Sequence, residues 1–260
     1  MGDRTQDFDR LTENYRRFRP GYPAPLLDRL REHVAGASRA DRPEPWLLLD
    51  VGAGTGISTR AVREVFGPGP RVVGVEPGHA MRDTAAAGPG GVEFTDGRAE
   101  DLPFADGSAV LVLAAQAVHW FDRPSFYAEA VRVLAPGGTV AVLSNDRDWT
   151  ASAFADAHET LLEEYGEGYR RDYRDFDTLG ELAAQEGLAE ATESTGRWVR
   201  ELDLDGYLGM ALSSTKMAAV VRAIGPERTR AALTELAERH FPDGVVRVPY
   251  LTRLRLARRT

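Results

Sequence analysis

The sequence predicts an α/β fold on a doubly wound, mostly parallel sheet. Three observations predict it. Short, continuously apolar runs recur between Trp46 and Ser144, as strands buried on both faces require. Stretches with apolar residues at helical spacing lie between them. Clusters of glycine and proline, Gly67-Pro68-Gly69-Pro70 and Ala135-Pro136-Gly137-Gly138, punctuate the joints. Strands that alternate with helices connect by right-handed crossovers and pair in parallel.

Taken in order, residues 46–51 form the first strand, an unbroken apolar run up to Asp50. Ile57, Ala61, Val62, Val65 and Phe66 then mark one face of a helix. Strands follow at 71–76, 92–95 and 110–113. A helix over 126–134 carries Ala130, Val131 and Leu134 on one side, and a fifth strand runs over 139–144. Upstream lie an aromatic- and arginine-rich segment, a helix near 25–34 and a polar linker at 35–45. Downstream, 153–165 and 178–185 read as helices, 196–204 as a strand, and 206–221 as one helix. Residues 226–240 form a helix with proline in its first turn. Val246, Val248, Tyr250, Thr252, Leu254 and Leu256 alternate with Arg247, Arg253 and Arg255, the period of a final strand with one buried face.

Composition narrows the chemistry. The 260 residues are 43% apolar, enough for a well-filled core. No run approaches the roughly 18 apolar residues of a membrane span, and the polar N-terminus lacks a signal core, so the expected location is cytoplasmic with no membrane partner. Cysteine is absent, which removes disulfides, thiolate metal sites and cysteine nucleophiles. The five histidines are scattered without metal-ligand spacing. A net charge of −8 argues against a nucleic-acid partner. Lys216 is the only lysine.

The most informative stretch is Asp50-Val51-Gly52-Ala53-Gly54-Thr55-Gly56. Glycines let a backbone turn sharply and let a ligand come close, because no Cβ intervenes. A strand, glycine loop and helix in succession therefore hold a nucleoside-like ligand. The dinucleotide fingerprint G-x-G-x-x-G places its third glycine one residue later, where Ile57 stands, so this loop is not spaced for a pyrophosphate. Glu76 ends the second strand, 20 residues past Gly56, where a carboxylate accepts hydrogen bonds from both ribose hydroxyls. A ligand-free turn and an exposed strand-end acid are the plainer alternatives.

This loop resembles the first motif of the Rossmann-like S-adenosylmethionine (SAM)-dependent methyltransferases. Val75-Glu76-Pro77 followed by Met81 is similar to their pattern, in which a small apolar residue borders the adenine. Asp96-Gly97-Arg98-Ala99-Glu100-Asp101-Leu102-Pro103-Phe104 resembles their adenine-side motif, with Arg98 where an acid often precedes the alanine. The adenine contact then falls to the Ala99 backbone and to Glu100. Ala114 to Asp122 resembles the A-x-H-W-F-D signature of one bacterial and fungal group. Arg132 to Gly138 resembles that group's R-V-L-x-P-G-G turn, a helix stop, and Tyr15 to Pro23 its N-terminal Y-x-x-x-R-P-x-Y-P segment. On these residues the chain is similar to the type 11 class of these enzymes over 8–144.

The resemblance implies a seven-stranded sheet with an antiparallel last strand, an N-terminal lid (1–45) and a SAM-binding core (46–149). A helical cap with the sixth strand follows on the substrate side (150–225), and a helix and last strand complete the sheet (226–260). It implies SAM as cofactor, S-adenosylhomocysteine as product, and cofactor contacts from Tyr15, Arg19, Asp50, Gly52, Ala53, Gly54, Gly56, Glu76, Pro77, Met81, Ala99, Glu100 and Gln116. Arg19 is the candidate partner of the methionyl carboxylate, and Tyr15 closes the pocket.

Methyl transfer from a sulfonium is an in-line displacement with a neutral leaving group, so positioning supplies most of the gain, about 7–11 kcal/mol in well-oriented cases. A base serves only an acceptor that must lose a proton. His119 is the candidate; a hydrogen bond that fixes the loop is its alternative role, and Trp120 and Phe121 read as packing. The expected acceptor is a medium-sized, partly apolar small molecule, met by the lid, 150–187 and 206–221. Tyr165, Tyr169, Tyr173 and Tyr207 supply rings; Ser213, Ser214 and Thr215 supply hydroxyls. Asn145, Asp146 and Asp148 resemble a magnesium site only superficially, since Gln116 stands where a matching carboxylate is needed; they read as a solvated loop, without metal. Two other functions compete: a SAM-binding scaffold used for cyclisation or regulation, and a nicotinamide oxidoreductase. Ile57 opposes the second, as does Lys216, which has Leu212 rather than tyrosine four residues before it.

Overall fold

A computed structural model describes residues 20–36 and 43–260. Tyr15 and Arg19 lie outside the described residues, as does the greater part of the expected lid. In chain order the elements are α1 (Ala24–Ala35), β1 (Leu47–Val51), α2 (Ile57–Phe66), β2 (Arg71–Val75), α3 (His79–Ala86), β3 (Glu93–Thr95) and β4 (Ala109–Ala115). A 3-10 turn (Val118–Trp120) leads to α4 (Arg123–Val133), β5 (Leu134–Arg147), α5 (Ala153–Tyr165), α6 (Thr178–Ala184) and β6 (Leu188–Leu202). The chain ends with α7 (Leu204–Leu212), α8 (Thr215–Ile224), α9 (Pro226–His240) and β7 (Val246–Arg259).

The strands form one seven-stranded sheet in the order β3-β2-β1-β4-β5-β7-β6, with six strands parallel and β7 antiparallel. The continuous apolar runs explain its centre. In β1, Leu47, Leu49 and Val51 enter one apolar cluster while Leu48 enters another. Val112 and Ala114 of β4 join the first, and Leu111, Leu113 and Ala115 the second. Successive side chains of a strand point to opposite faces, so an all-apolar strand is what a sheet covered on both sides demands. Leu26, Leu27, Leu30 and Val34 of α1 and Val62 of α2 cover one face; Phe126, Ala130 and Val133 of α4 cover the other. Reversal of the strand order between β1 and β4 puts the ends of β1 and β4 at the topological switch point, where such sheets take ligands.

The residues group into two compact units. The larger comprises Gly21–Asn145, Phe176–Gly196 and Thr252–Thr260; the other includes Asp146–Asp175 and Arg197–Leu251. The second unit has its own core, in which Phe154, Tyr207, Met217, Leu233 and Val248 are buried together. Tyr207 Oη lies 2.8 Å from His158 Nδ1, and burial, reinforced by Arg147, holds that imidazole well below its ordinary pKa, hence neutral. Arg147 donates to Glu159 at 2.6 Å, and Tyr169 donates to the other Glu159 oxygen at 2.6 Å. No helix among the described residues is long and apolar enough to cross a membrane.

Helix α3 is not among the elements read from the sequence, and three that are differ markedly in extent. The fifth strand begins at Leu134, not at 139. Leu134 already pairs with Ala109; the ladder then skips to Thr139 opposite Leu111, so Ala135-Pro136-Gly137-Gly138 form an irregularity within the strand, with Gly137 at φ 71°. The expected helix over 206–221 is two helices. Ser213 ends the first and Ser214 caps the second, accepting from the Lys216 amide at 3.2 Å; the apolar residues on either side mask the break. The strand expected at 196–204 spans Leu188–Leu202. It is an edge strand whose residues are mostly half-buried or exposed, so its polar first half shows no apolar alternation.

Candidate active site

The glycine loop uses backbone conformations that side chains rarely adopt. Gly52, Gly54 and Gly56 have φ of 71°, 55° and 80°, in the left-handed region. The turn is tied to the next strand, because the Gly52 and Ala53 amides both donate to Val75 O, at 2.8 and 3.1 Å. The first two glycines serve different ends. A Cβ on Gly52 would stand 2.6 Å from Ala117 Cβ and 3.0 Å from Phe121 Cζ, whereas one on Gly54 would meet nothing within 4 Å among the described residues. Gly52 lets the segment after β4 pack closely; Gly54 leaves its outer face open. Arg60 braces the loop, donating to Thr55 O at 3.0 Å, to Gly56 O at 2.9 Å, to Pro89 O at 2.7 Å and to Ala85 O.

Glu76 sits at the end of β2 and is half-buried. Its Oε2 accepts from the Gly54 amide at 2.9 Å and its Oε1 from the Gly78 amide at 2.8 Å. The carboxylate is thus held by two backbone donors, and each oxygen keeps a lone pair for a further donor. Arg82 steadies the same corner through Glu76 O at 2.7 Å, Pro77 O at 3.0 Å and the Asp96 carboxylate at 2.8 Å.

Asp50 is 1% exposed. Its Oδ2 accepts from Ser58 Oγ at 2.7 Å and Thr59 Oγ1 at 2.6 Å, both in the first turn of α2. Its Oδ1 is buried with no hydrogen-bond partner among the described residues, and so is Thr55 Oγ1. Burial pushes the Asp50 carboxyl up to about 6; the Thr59 and Ser58 bonds oppose the rise, and the Glu76 charge adds to it. A raised folded-state pKa means that the folded chain holds its proton longer than the unfolded one. Stability from this group is present below about pH 4 and is lost as pH climbs through about 6, on the order of 3 kcal/mol in all. Asp50→Asn is therefore expected to stabilise the ligand-free chain at pH 7.5 by about 1–3 kcal/mol, with the gain fading toward pH 4.5. Urea unfolding at the two pH values measures it; equal effects at both would show that Asp50 does not titrate as assigned.

The other described cofactor candidates, Ala53, Pro77, Met81, Ala99, Glu100 and Gln116, belong to the larger unit, as does His119. Ala53 and Ala99 are buried, Pro77 is exposed and Met81 is 39% exposed. Glu100 accepts from the Asp122 amide at 3.0 Å, so it also anchors the turn into α4. Gln116 takes a φ of 57° just after β4; its amide donates to Leu143 O at 2.8 Å and its side chain to Asn145 O. His119 lies half-buried in the 3-10 turn, its ring centre 5.1 Å from that of Trp120. Phe121 packs as expected, 5.0 Å from Phe126, but Trp120 is 72% exposed and does not. Asn145, Asp146 and Asp148 are not a solvated loop. Asn145 bonds Gly21 O at 3.1 Å and Thr252 Oγ1 at 2.8 Å, Asp146 pairs with Arg174 at 3.1 Å, and Asp148 with Arg197 at 2.9 Å. No group of carboxylates and histidines among the described residues is placed to hold a metal. Tyr207, expected to face an acceptor, is fully buried. Ser58, Thr59 and Arg60 escaped the sequence reading; polar residues in a first helical turn look like ordinary capping.

A glycine loop between a parallel strand and its helix, with an acid just after the following strand, is an arrangement of the Rossmann-like α/β fold. Residues 49–142 match the family described as a methyltransferase domain. An uncharacterised methyltransferase of Mycobacterium tuberculosis is 37% identical over 147 residues, 56% of this chain and 55% of the relative; the match thus spans little more than half of that relative's length. A candidate methyltransferase of Dictyostelium discoideum is 27% identical over 207 residues, 77% of this chain and 74% of its own. The solved structure of a candidate type II methyltransferase from Anaeromyxobacter dehalogenans is similar at a TM-score of 0.64 and 27% identity, covering 93% of this chain and 98% of that one. Over these residues the chain is similar to proteins named as methyltransferases.

Proposed function

We propose that this chain transfers the methyl group of SAM to a small-molecule acceptor by in-line displacement. The observation that carries the reading is Asp50: a carboxylate buried beside the glycine loop, saturated on one oxygen and, among the described residues, lacking a donor on the other. A buried acceptor left unmatched is costly, and a cationic N–H donor on a ligand removes that cost. The residues present fit SAM, whose methionyl end carries an ammonium and whose other end carries a ribose diol. When bound, SAM supplies an electrophilic methyl group on a sulfonium. Asp50 Oδ1 accepts from the ammonium, the open face of Gly54 admits the ligand to the backbone, and the free lone pairs of Glu76 accept from the ribose hydroxyls. Pro77, Met81, Ala99 and Glu100 border the adenine; Gln116 orders the end of β4. Arg19 pairs with the carboxylate and Tyr15 covers it as part of an N-terminal lid.

These groups orient the donor, and orientation is the main source of rate in such a displacement. His119 takes a proton from an acceptor that must lose one. His119→Ala is expected to leave SAM affinity unchanged while the rate near neutral pH falls by about a hundredfold and the pH–rate profile loses its step near the histidine range. A variant profile of unchanged shape would remove His119 as the base. The function as a whole is tested by SAM calorimetry together with an acceptor panel read by mass spectrometry for the gain of one CH2 unit. A chain that binds NADH and not SAM would overturn the proposal.

A further inference from the structure

The second unit holds three cations around two tyrosines, and their charges are unequally matched. Arg147 is paired with Glu159 at 2.6 Å and Arg174 with Asp146 at 3.1 Å. Lys216 has no carboxylate within 4 Å among the described residues, although the chain carries 40 acidic residues against 32 basic ones. Its Nζ lies 4.1 Å from the ring centre of Tyr173 and 5.7 Å from that of Tyr169. The Arg174 guanidinium lies 4.9 Å from the same Tyr173 ring, so one ring faces two cations. Lys216 is the second residue of α8, whose first turn contains no acid, and the helix dipole there adds positive potential. Burial, and secondarily Arg174, lowers the lysine's pKa. The ammonium is thus partly stripped of water and held near like charge, and among the described residues aromatic faces compensate it.

A neighbouring cleft of about 460 Å³ shows the contrast. It is lined by Trp149, Glu163, Tyr169 and Arg170 to Asp172, and its arginines are already neutralised, Arg171 by Glu163 at 2.6 Å and Asp156 at 2.5 Å, Arg170 by Asp172 at 2.8 Å. Those two arginines face three carboxylates, which leaves no positive charge to offer an anionic ligand. The Lys216 cluster has such a charge.

We infer that Lys216, with the rings of Tyr173 and Tyr169, forms a subsite for the carboxylate of a partly apolar small molecule. One cation unmatched among the described residues balances one negative charge, which favours a monoanionic carboxylate over a phosphate dianion. The two rings, one of them 36% exposed, supply apolar contact for the carbon frame. On the methyltransferase reading, on which this assignment of the ligand rests, that molecule is the acceptor.

The single lysine provides its own reporter. Chain labelled with ¹³C at lysine Cε gives one side-chain lysine signal, and it is titrated with benzoate, phenylacetate, cinnamate and decanoate, each beside its primary amide, and with phenyl phosphate. At least one carboxylate is expected to shift the signal saturably, its amide to bind at least tenfold more weakly, and Lys216→Met to weaken the carboxylate at least tenfold, with Lys216→Arg recovering part of the loss. SAM affinity and melting temperature should not change in either variant. A signal that ignores every carboxylate, amides that bind as well as acids, or a response to phenyl phosphate alone would each overturn the subsite. Failure of wild-type chain to bind SAM would instead overturn the methyltransferase reading, and the titrations separate the two.

Discussion

Glu76→Ala is expected to lower SAM affinity by about a hundred- to ten-thousandfold. A charged carboxylate that accepts from two ribose hydroxyls contributes about 1.5–3 kcal/mol per bond, and alanine removes both. It also frees the Gly54 and Gly78 amides, which donate to this carboxylate at 2.9 and 2.8 Å, so the loop loses the acceptor that shapes it. Glu76→Gln is the milder change. The amide keeps one oxygen, which serves one loop amide and one ribose hydroxyl, but turns an NH2 group toward the other loop amide and the other hydroxyl. Its affinity should fall by about tenfold, with a smaller drop in melting temperature than alanine gives. Calorimetry with SAM and with S-adenosylhomocysteine measures both variants, and the two ligands should lose affinity equally, since they share the ribose. Wild-type affinity in Glu76→Ala would show that the carboxylate serves only the loop.

What the sequence made legible follows from how strongly each feature is written in residue type. The central strands were readable because Leu48, Val73, Leu111 and Ala141 belong to unbroken apolar runs that two-sided burial demands. The glycine loop was readable because φ near 55° to 80° at three alternate positions leaves little choice but glycine. β6 was half-hidden, because an edge strand needs no buried stripe. The break before α8 was hidden because Ser213 and Ser214 sit between two apolar helices and a serine cap looks like any surface serine. At the site, Asp50 and Glu76 were evident from their places beside the loop. Ser58 and Thr59 were not, since nothing in their type says that their hydroxyls turn inward to Asp50 instead of outward to water. Lys216 attracted notice only as a solitary lysine; its seat over Tyr173 comes from contacts between α8 and a segment more than forty residues upstream, which no local pattern encodes.

Gly54→Val is expected to weaken SAM at least a hundredfold while the chain still folds. The loop glycines make this a selective test. At Gly52 a side chain would collide with Ala117 and Phe121, so a loss of binding there follows trivially from a disturbed core. At Gly54 a Cβ finds open space among the described residues, and the folded chain bears only the strain of a β-branched residue at φ 55°, about 1–3 kcal/mol. A typical domain tolerates a loss of that size. Ligand binding does not tolerate the same change, because two γ-methyl groups then occupy the volume through which a nucleoside approaches the backbone. Gly54→Ala should fall between the two, with a smaller loss of affinity for similar strain. Circular dichroism and urea unfolding establish the fold, and calorimetry establishes the binding. Wild-type affinity in a folded Gly54→Val chain would mean that the open face of the loop is not where the cofactor lies, and the glycine would then be explained by the turn alone.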